Sequence, residues 1–358
     1  MNKNIQTVLG PVSADSVGLT LPHEHLIVDG SSIWTDPTKK SWVGDVLSGR
    51  KSGEFLDQIA NGSVCIEHLG NLLRAPHLSR DNLLVNDPNL VIPEALQFAD
   101  VGGKTIVDLT NFGLGRQPEM LKEVSKQTGL NVVMGCGWYV QSSHPASVAA
   151  RSEKDLGDEM LCEVIEGVGA TGIKPGVIGE IGTSNPMTAQ EAKVLRAACR
   201  VQRETGLPLN IHVSLQTGLE ALDLALSQDV DPKRITVSHC DTFSNRDYQM
   251  AVAGRGVWVS FDNFGANWFF GSRVSTDDGR RVEDLLNLVE RGFLNQILVS
   301  HDVGTKIQLT KFGGFGYAYI SHYIEPVMRA QGLSDAEINV IRVANPARML
   351  VIESKSGF

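Results

Sequence analysis

From about residue 104 onward the chain alternates short apolar runs rich in β-branched residues with longer amphipathic stretches, an order that specifies successive βα units and a parallel sheet. Seven runs fall at 104–110, 131–139, 176–184, 208–214, 235–241, 257–265 and 297–303, and 18–28 supplies an eighth near the N-terminus. Eight is the count at which such a sheet closes on itself, so the expected fold is an α/β barrel, the (β/α)8 or TIM barrel. Helical periodicity at 118–128, 189–205, 215–227 and 282–291 fills the intervals, with Gly129 and Gly206 placed where a helix end calls for left-handed backbone. An open, doubly wound sheet is the competing arrangement. It finds no support, because neither a G-x-G-x-x-G after the first strand nor a G-x-x-x-x-G-K-[ST] motif occurs.

Barrels of this class accommodate 358 residues in one unit, so residues 1–358 are expected to form a single domain. The segment 30–87 is too long for an ordinary βα loop. It is expected to be an insertion after strand 1, carrying short helices over the barrel mouth. A formal net charge of −9, with no basic run, argues against nucleic-acid and anionic-membrane partners. Five scattered cysteines without a C-x-x-C pair read as reduced thiols. The start of the chain lacks the apolar core of a secretory signal, and no run of about 18 apolar residues follows, which places the expected location in the cytoplasm.

Chemistry enters through Leu21-Pro22-His23-Glu24-His25-Leu26. Two histidines two apart on a strand point to one face and can grip one cation. Alone the pair is a weak signal, but Glu180, His212, His239 and Asp302 each sit late in an expected strand, spaced by one βα unit or by two. In an α/β barrel those strand ends converge on one pocket. Four imidazoles, one bridging carboxylate and one terminal carboxylate suffice for two divalent metals about 3.5–4 Å apart. Zinc is the default from the four histidines, with manganese or cobalt compatible with the same donors.

His23-x-His25, the strand 176–182 with Glu180, His212, His239 and the run His301-Asp302-Val303-Gly304-Thr305-Lys306 together resemble the phosphotriesterase family of the amidohydrolase superfamily. The likeness is nearest its branch of phosphotriesterase homology and phosphotriesterase-related proteins. It extends to Lys311-Phe312-Gly313-Gly314-Phe315-Gly316-Tyr317 and to Asn345-Pro346-Ala347-Arg348, and so spans nearly the whole chain. The resemblance implies that His23, His25 and Asp302 hold the more buried metal, that His212 and His239 hold the outer one, and that Glu180 bridges them. A homodimer is also implied. The chain departs from the better-known phosphotriesterases twice. Their bridge is a carbamylated Lys, whereas here Lys174 lies before Pro175 and outside the strand; and their proton-relay His after the Asp of strand seven is Asn263, beside Asp262.

The first functional reading is hydrolysis of organophosphorus esters, phosphate or phosphonate, by a metal-bridging hydroxide, with Asp302 as the catalytic proton acceptor. The alternative keeps the site and changes the electrophile to a carbonyl, as in a lactone, a sugar-phosphate lactone or an N-acyl amide. A third reading, a non-catalytic ligand-binding barrel, predicts a damaged metal set. Either enzyme takes a small-molecule ester, lactone or amide. Tyr139, Asn263, Trp268 and Lys306 are the candidate substrate contacts; Trp268-Phe269-Phe270 is a candidate apolar wall, and Arg273 a weaker basic candidate. His68, His77, His144 and His322 have no partners at ligand spacing and read as surface or loop histidines. His301 should point away from the pocket, and Cys240 reads as a small buried neighbour.

Overall fold

The structure is a computed structural model that describes residues 3–37, 53–216, 218–270 and 273–352. Part of the expected insertion, 38–52, lies outside the described residues, as does Thr217 within the helix expected at 215–227.

Eight strands form one sheet: β1 (Leu19–Glu24), β2 (Gly103–Asp108), β3 (Asn131–Cys136), β4 (Val177–Thr183), β5 (Leu209–Val213), β6 (Ile235–Val237), β7 (Trp258–Phe261) and β8 (Ile297–Val299). They lie in sequence order with parallel neighbours throughout. Two backbone hydrogen bonds join the ends of the row: Asp302 N–H donates to the His23 carbonyl at 3.2 Å, and His25 N–H to the Val303 carbonyl at 3.1 Å. The sheet is therefore closed as a barrel. Strands covered on both faces must be apolar on both, and all seven residues of β4 are buried. The lower barrel is filled by a cluster including Val107, Val133, Val177 and Leu298, joined by Ile5, Met349 and Leu350 from the two ends of the chain.

Seven helices follow the strand rhythm outside: α1 (Pro88–Asp100), α2 (Pro118–Thr128), α3 (Glu153–Glu166), α4 (Ala189–Thr205), α5 (Gly218–Leu226), α6 (Arg246–Ala253) and α7 (Asp278–Glu290). Helix α4 begins with a capping box, in which Thr188 accepts from the Glu191 N–H while Glu191 reaches back, and it buries Val194, Leu195, Ala198 and Val201 on one stripe. The C-terminal glycines Gly129 and Gly206 adopt φ of 71° and 73°, as expected from the sequence.

Most strands stop sooner than the sequence suggests. The run expected through Asp241 ends at Val237, and that expected through Val303 ends at Val299. At these ends His239 and Asp302 turn to φ of 58° and 54°, left-handed values that extended backbone does not contain. Helix α1 and the N-terminal hairpin, Asn4–Thr7 with Gly10–Ser13, went unread. The hairpin caps the bottom of the barrel, where Val8 N–H donates to the Val132 carbonyl at 2.9 Å.

The insertion leaves and rejoins the barrel through a two-residue antiparallel clasp, Val28–Asp29 against Leu84–Val85. Within it lie helices Gly53–Asn61 and Ile66–Leu72 and a turn at Pro76–Leu78. Ile59, Leu72 and Leu78 pack on Ile307, which follows β8, so the insertion is anchored to the far end of the barrel chain. Among the described residues no helix is long and apolar enough to cross a membrane.

A Cβ added at Gly129 would meet nothing within 4 Å, so Gly129→Ala isolates the cost of left-handed backbone. We expect a loss of about 1 kcal/mol in urea denaturation; an unchanged midpoint would show that the end of α2 relaxes into another cap.

Candidate metal centre

Each expected ligand arrives at the barrel mouth from a strand end. His23 is the penultimate residue of β1 with His25 just beyond it, Glu180 lies within β4, His212 within β5, His239 two residues after β6 and Asp302 three after β8. His25 Nε2 lies 3.1 Å from Asp302 Oδ1 and 3.4 Å from Glu180 Oε1; His23 Nε2 lies 3.4 Å from the same Asp302 oxygen and 3.6 Å from Glu180 Oε2. On the other side Glu180 Oε2 lies 3.0 Å from His212 Nδ1, which in turn is 2.8 Å from His239 Nε2. Three groups of donors close enough to share one cation result: His23–His25–Glu180 and Glu180–His212–His239, which have Glu180 in common, and His23–His239–Asp302, which links the two sides.

The residues fit a pair of metals on two further counts. His23 Nε2 is buried and has no hydrogen-bond partner, although it points at two carboxylates. The rings are also held from behind. Asp262 takes His23 Nδ1 on one oxygen and His239 Nδ1 on the other, both at 2.8 Å, and also accepts the His239 N–H at 2.9 Å. His25 Nδ1 meets the Thr110 hydroxyl at 2.9 Å. Such outer partners fix ring orientation and leave the opposite nitrogen for a metal.

Without a cation the cluster balances charge with protons. Burial opposes charge on His23, but Asp262, Asp302 and Glu180 outweigh it and raise its pKa. His25 is raised well above its usual value, against burial, by Asp302 and Glu180. His239, also against burial, is pushed up to about 10 by Asp262 and by the two cluster carboxylates. At His212 burial prevails and the pKa falls. Glu180 is held well below the carboxylate range, its imidazole neighbours overcoming burial, and Asp302 is held below it in the same way.

Over these groups opens a cavity of about 350 Å³. Tyr139 and Trp268 line it; the Tyr139 hydroxyl stands 3.2 Å from His212 Nε2. Asn263 reaches the cavity too, but its side-chain amide is turned into the wall, donating to Asp241 at 2.9 Å and Asp262 at 3.1 Å. Asp241 is paired with the buried Arg281 at 2.9 Å, so a charged network backs the ligands where the relay His is missing. Lys306 is not brought to the cavity: its ammonium is paired with Asp81 of the insertion at 2.6 Å, because the residues after β8 serve to anchor that segment. Arg273 stacks on Phe243, 3.5 Å from the ring centroid. Lys174 precedes β4 and joins neither ligand group. His301, two residues beyond the end of β8, is turned onto Glu24 at 2.8 Å. Cys240 is buried and its thiol is pushed well up by that burial. One expectation is corrected. His77, read as a surface or loop histidine, lines the cavity, because the insertion turn Pro76–Leu78 folds back over it. No local motif at His77 announces this.

The phosphotriesterase family profile matches residues 3–350. The chain belongs to the phosphotriesterase family. A family relative from Dictyostelium discoideum, named N-acetyltaurine hydrolase, is 32% identical over 361 residues, covering 97% of this chain and 98% of that protein. Among solved structures, the resiniferatoxin-binding protein of Rhodobacter sphaeroides superposes with a TM-score of 0.91 at 36% identity, over 98% of this chain and 96% of the other. The phosphotriesterase homology protein of Escherichia coli, solved with phosphate in its active site, gives a TM-score of 0.75 at 30% identity over 94% and 99%.

Asp262→Ala removes the support of His23 and His239, and every donor group contains at least one of the two. Metal affinity should fall by about 10–100-fold, read by titration with a competing chelator. An unchanged affinity would mean that the rings are held by packing alone. Raised pKa values also mean that cations must displace protons from His23, His25 and His239. Apparent affinity should therefore weaken as pH falls from about 10 through neutrality, with proton release at pH 7 measurable by calorimetry in two buffers; zero release would refute the protonated cluster.

Proposed function

We propose that the chain is a metal-dependent hydrolase acting on a carbonyl compound, an N-acyl amide, through two divalent cations shared by Glu180. His23, His25 and Asp302 would hold one, His212 and His239 the other. The observation that carries the amide is kinship: 32% identity across nearly the full length of both chains to an N-acetyltaurine hydrolase. The two readings drawn from the sequence thus exchange rank, the carbonyl substrate moving ahead of the organophosphorus ester. A complete set of six ligand side chains, backed by Asp262 and Thr110, speaks for catalysis over a barrel that only binds.

When bound, two such cations polarise a carbonyl oxygen and bring the pKa of water from about 15.7 toward roughly 7. The remaining work belongs to side chains. Asp302 faces both the buried imidazoles and the cavity, its side chain 18% exposed, so it can accept a proton from the attacking water. It returns that proton to the amide nitrogen as the carbon–nitrogen bond breaks, leaving a carboxylic acid and an amine. Tyr139 keeps its own proton, because burial and then Glu180 and Asp302 raise its pKa well above the usual phenol value. Were His212 to help hold a cation through Nδ1, the nitrogen that faces Glu180, its ring proton would reside on Nε2 and be donated to the Tyr139 oxygen. The phenol O–H would then be free to donate to the substrate oxygen. Val28, Ile33, Trp268 and Phe270 supply an apolar wall, and no Lys or Arg lines the cavity among the described residues.

The test is to purify the protein with its native metal, count ions per chain and assay N-acetyltaurine beside a δ-lactone and a dialkyl aryl phosphate. We expect the amide to be cleaved fastest. Asp302→Asn should retain metal but lose about 10²–10⁴ in turnover. Faster cleavage of the lactone or phosphate would reassign the electrophile, and full activity with one ion per chain would sink the paired site.

A further inference from the structure

Of the imidazoles around the site, His77 is the one whose ring is uncommitted. Asp262 takes Nδ1 of His23 and of His239, Thr110 takes Nδ1 of His25, and Tyr139 takes Nε2 of His212. His301 is bonded at both nitrogens, to Glu24 and to the Ile320 N–H. At His77 the backbone carbonyl accepts the Thr35 N–H at 2.9 Å. The ring itself stands edge-on to Trp268, centroids 6.0 Å apart at 69°, with no hydrogen bond to either nitrogen among the described residues. It shares the cavity with Tyr139, His212 and Asp302.

We propose that His77 is a substrate-contacting residue, hydrogen-bonding the substrate from the insertion, so that the insertion completes the site the strands begin; the inference rests on the hydrolase reading above. The ring lines the same cavity as Asp302, Tyr139 and His212. Asn263 cannot take this role, because its amide is spent on Asp241 and Asp262. The edge-on Trp268 fixes the plane of the imidazole, which cuts the entropy lost when a substrate binds. Burial pushes the His77 pKa down to about 4, against Asp302, so the ring is neutral near pH 7 and offers one donor and one acceptor. That pair matches an uncharged amide N–H or carbonyl.

The decisive comparison is steady-state kinetics of H77F and H77Q, loaded with metal, on whichever of N-acetyltaurine, the δ-lactone and the dialkyl aryl phosphate the unchanged protein cleaves best. H77F should raise KM about tenfold, the factor one ordinary hydrogen bond provides, with kcat within about threefold and metal content unchanged. H77Q, which keeps a donor, should recover most of the loss. A KM for H77F within twofold of the unchanged protein overturns the inference. So does a fall in kcat that tracks loss of metal, since that would make His77 a support for the ligands. Substrate ranking by the unchanged protein tests the amide reading separately, and a different winner there leaves the His77 comparison intact.

Discussion

Everything at the mouth of this barrel depends on the buried carboxylate of Asp262. Unpaired, a carboxylate so deep would be costly to ionise, yet two imidazoles and a backbone N–H hold it ionised and below its usual pKa. The two imidazoles stand on the two sides of the site and meet in one donor group with Asp302, so one side chain sets the spacing between both halves. Three carboxylates, Glu180, Asp262 and Asp302, then face four histidines in largely buried surroundings. Such a cluster is stable only if positive charge is supplied, by protons or by cations. The geometry is that of a receptor for cations, folded around its own electrostatic need.

Position and selectivity are divided between different parts of the chain. The ligands stand on or just after strands, where the hydrogen-bonded barrel permits little movement, while the walls come from loops and from the insertion. Left-handed backbone at His239 and Asp302 shows how tightly the frame dictates the ligands, since neither residue adopts that conformation cheaply. Arg281, fully buried against Asp241 and Asp278, stiffens the same rim from outside. Where the well-studied members of the family carry a relay histidine, this chain carries Asn263, whose amide joins that rigid network and moves no proton.

The fold and the convergence of six donor side chains were legible because both are periodic. Strand runs recur at a near-constant interval, and a ligand near the end of such a run has few places to go but the mouth. Gly129 and Gly206 were legible for a local reason, the handedness of a helix end. What escaped notice lacks a period. The lower hairpin is short and its partner strand lies more than a hundred residues away, at Val132. His77 reaches the cavity only because Ile59, Leu72 and Leu78 find Ile307, a contact that no neighbouring residue foretells. Lys306 misled for the same reason: a basic residue four positions after a ligand looks like a substrate contact until Asp81 arrives from the insertion. The electrophile itself is a property of the walls and was the part of function least written in the sequence.

The seam of the barrel runs through the ligands: the Asp302 N–H closes on the carbonyl of His23, and the His25 N–H on that of Val303. The seam thus joins residues from the two extremes of the fold, and Asp302 cannot meet His23 and His25 until β8 has been made. During synthesis, at about 5–20 residues per second, the early histidines wait more than ten seconds for their partner. A site that uses Asp302 with the two histidines is therefore completed late in the making of the chain, and its completion marks that the ring is whole.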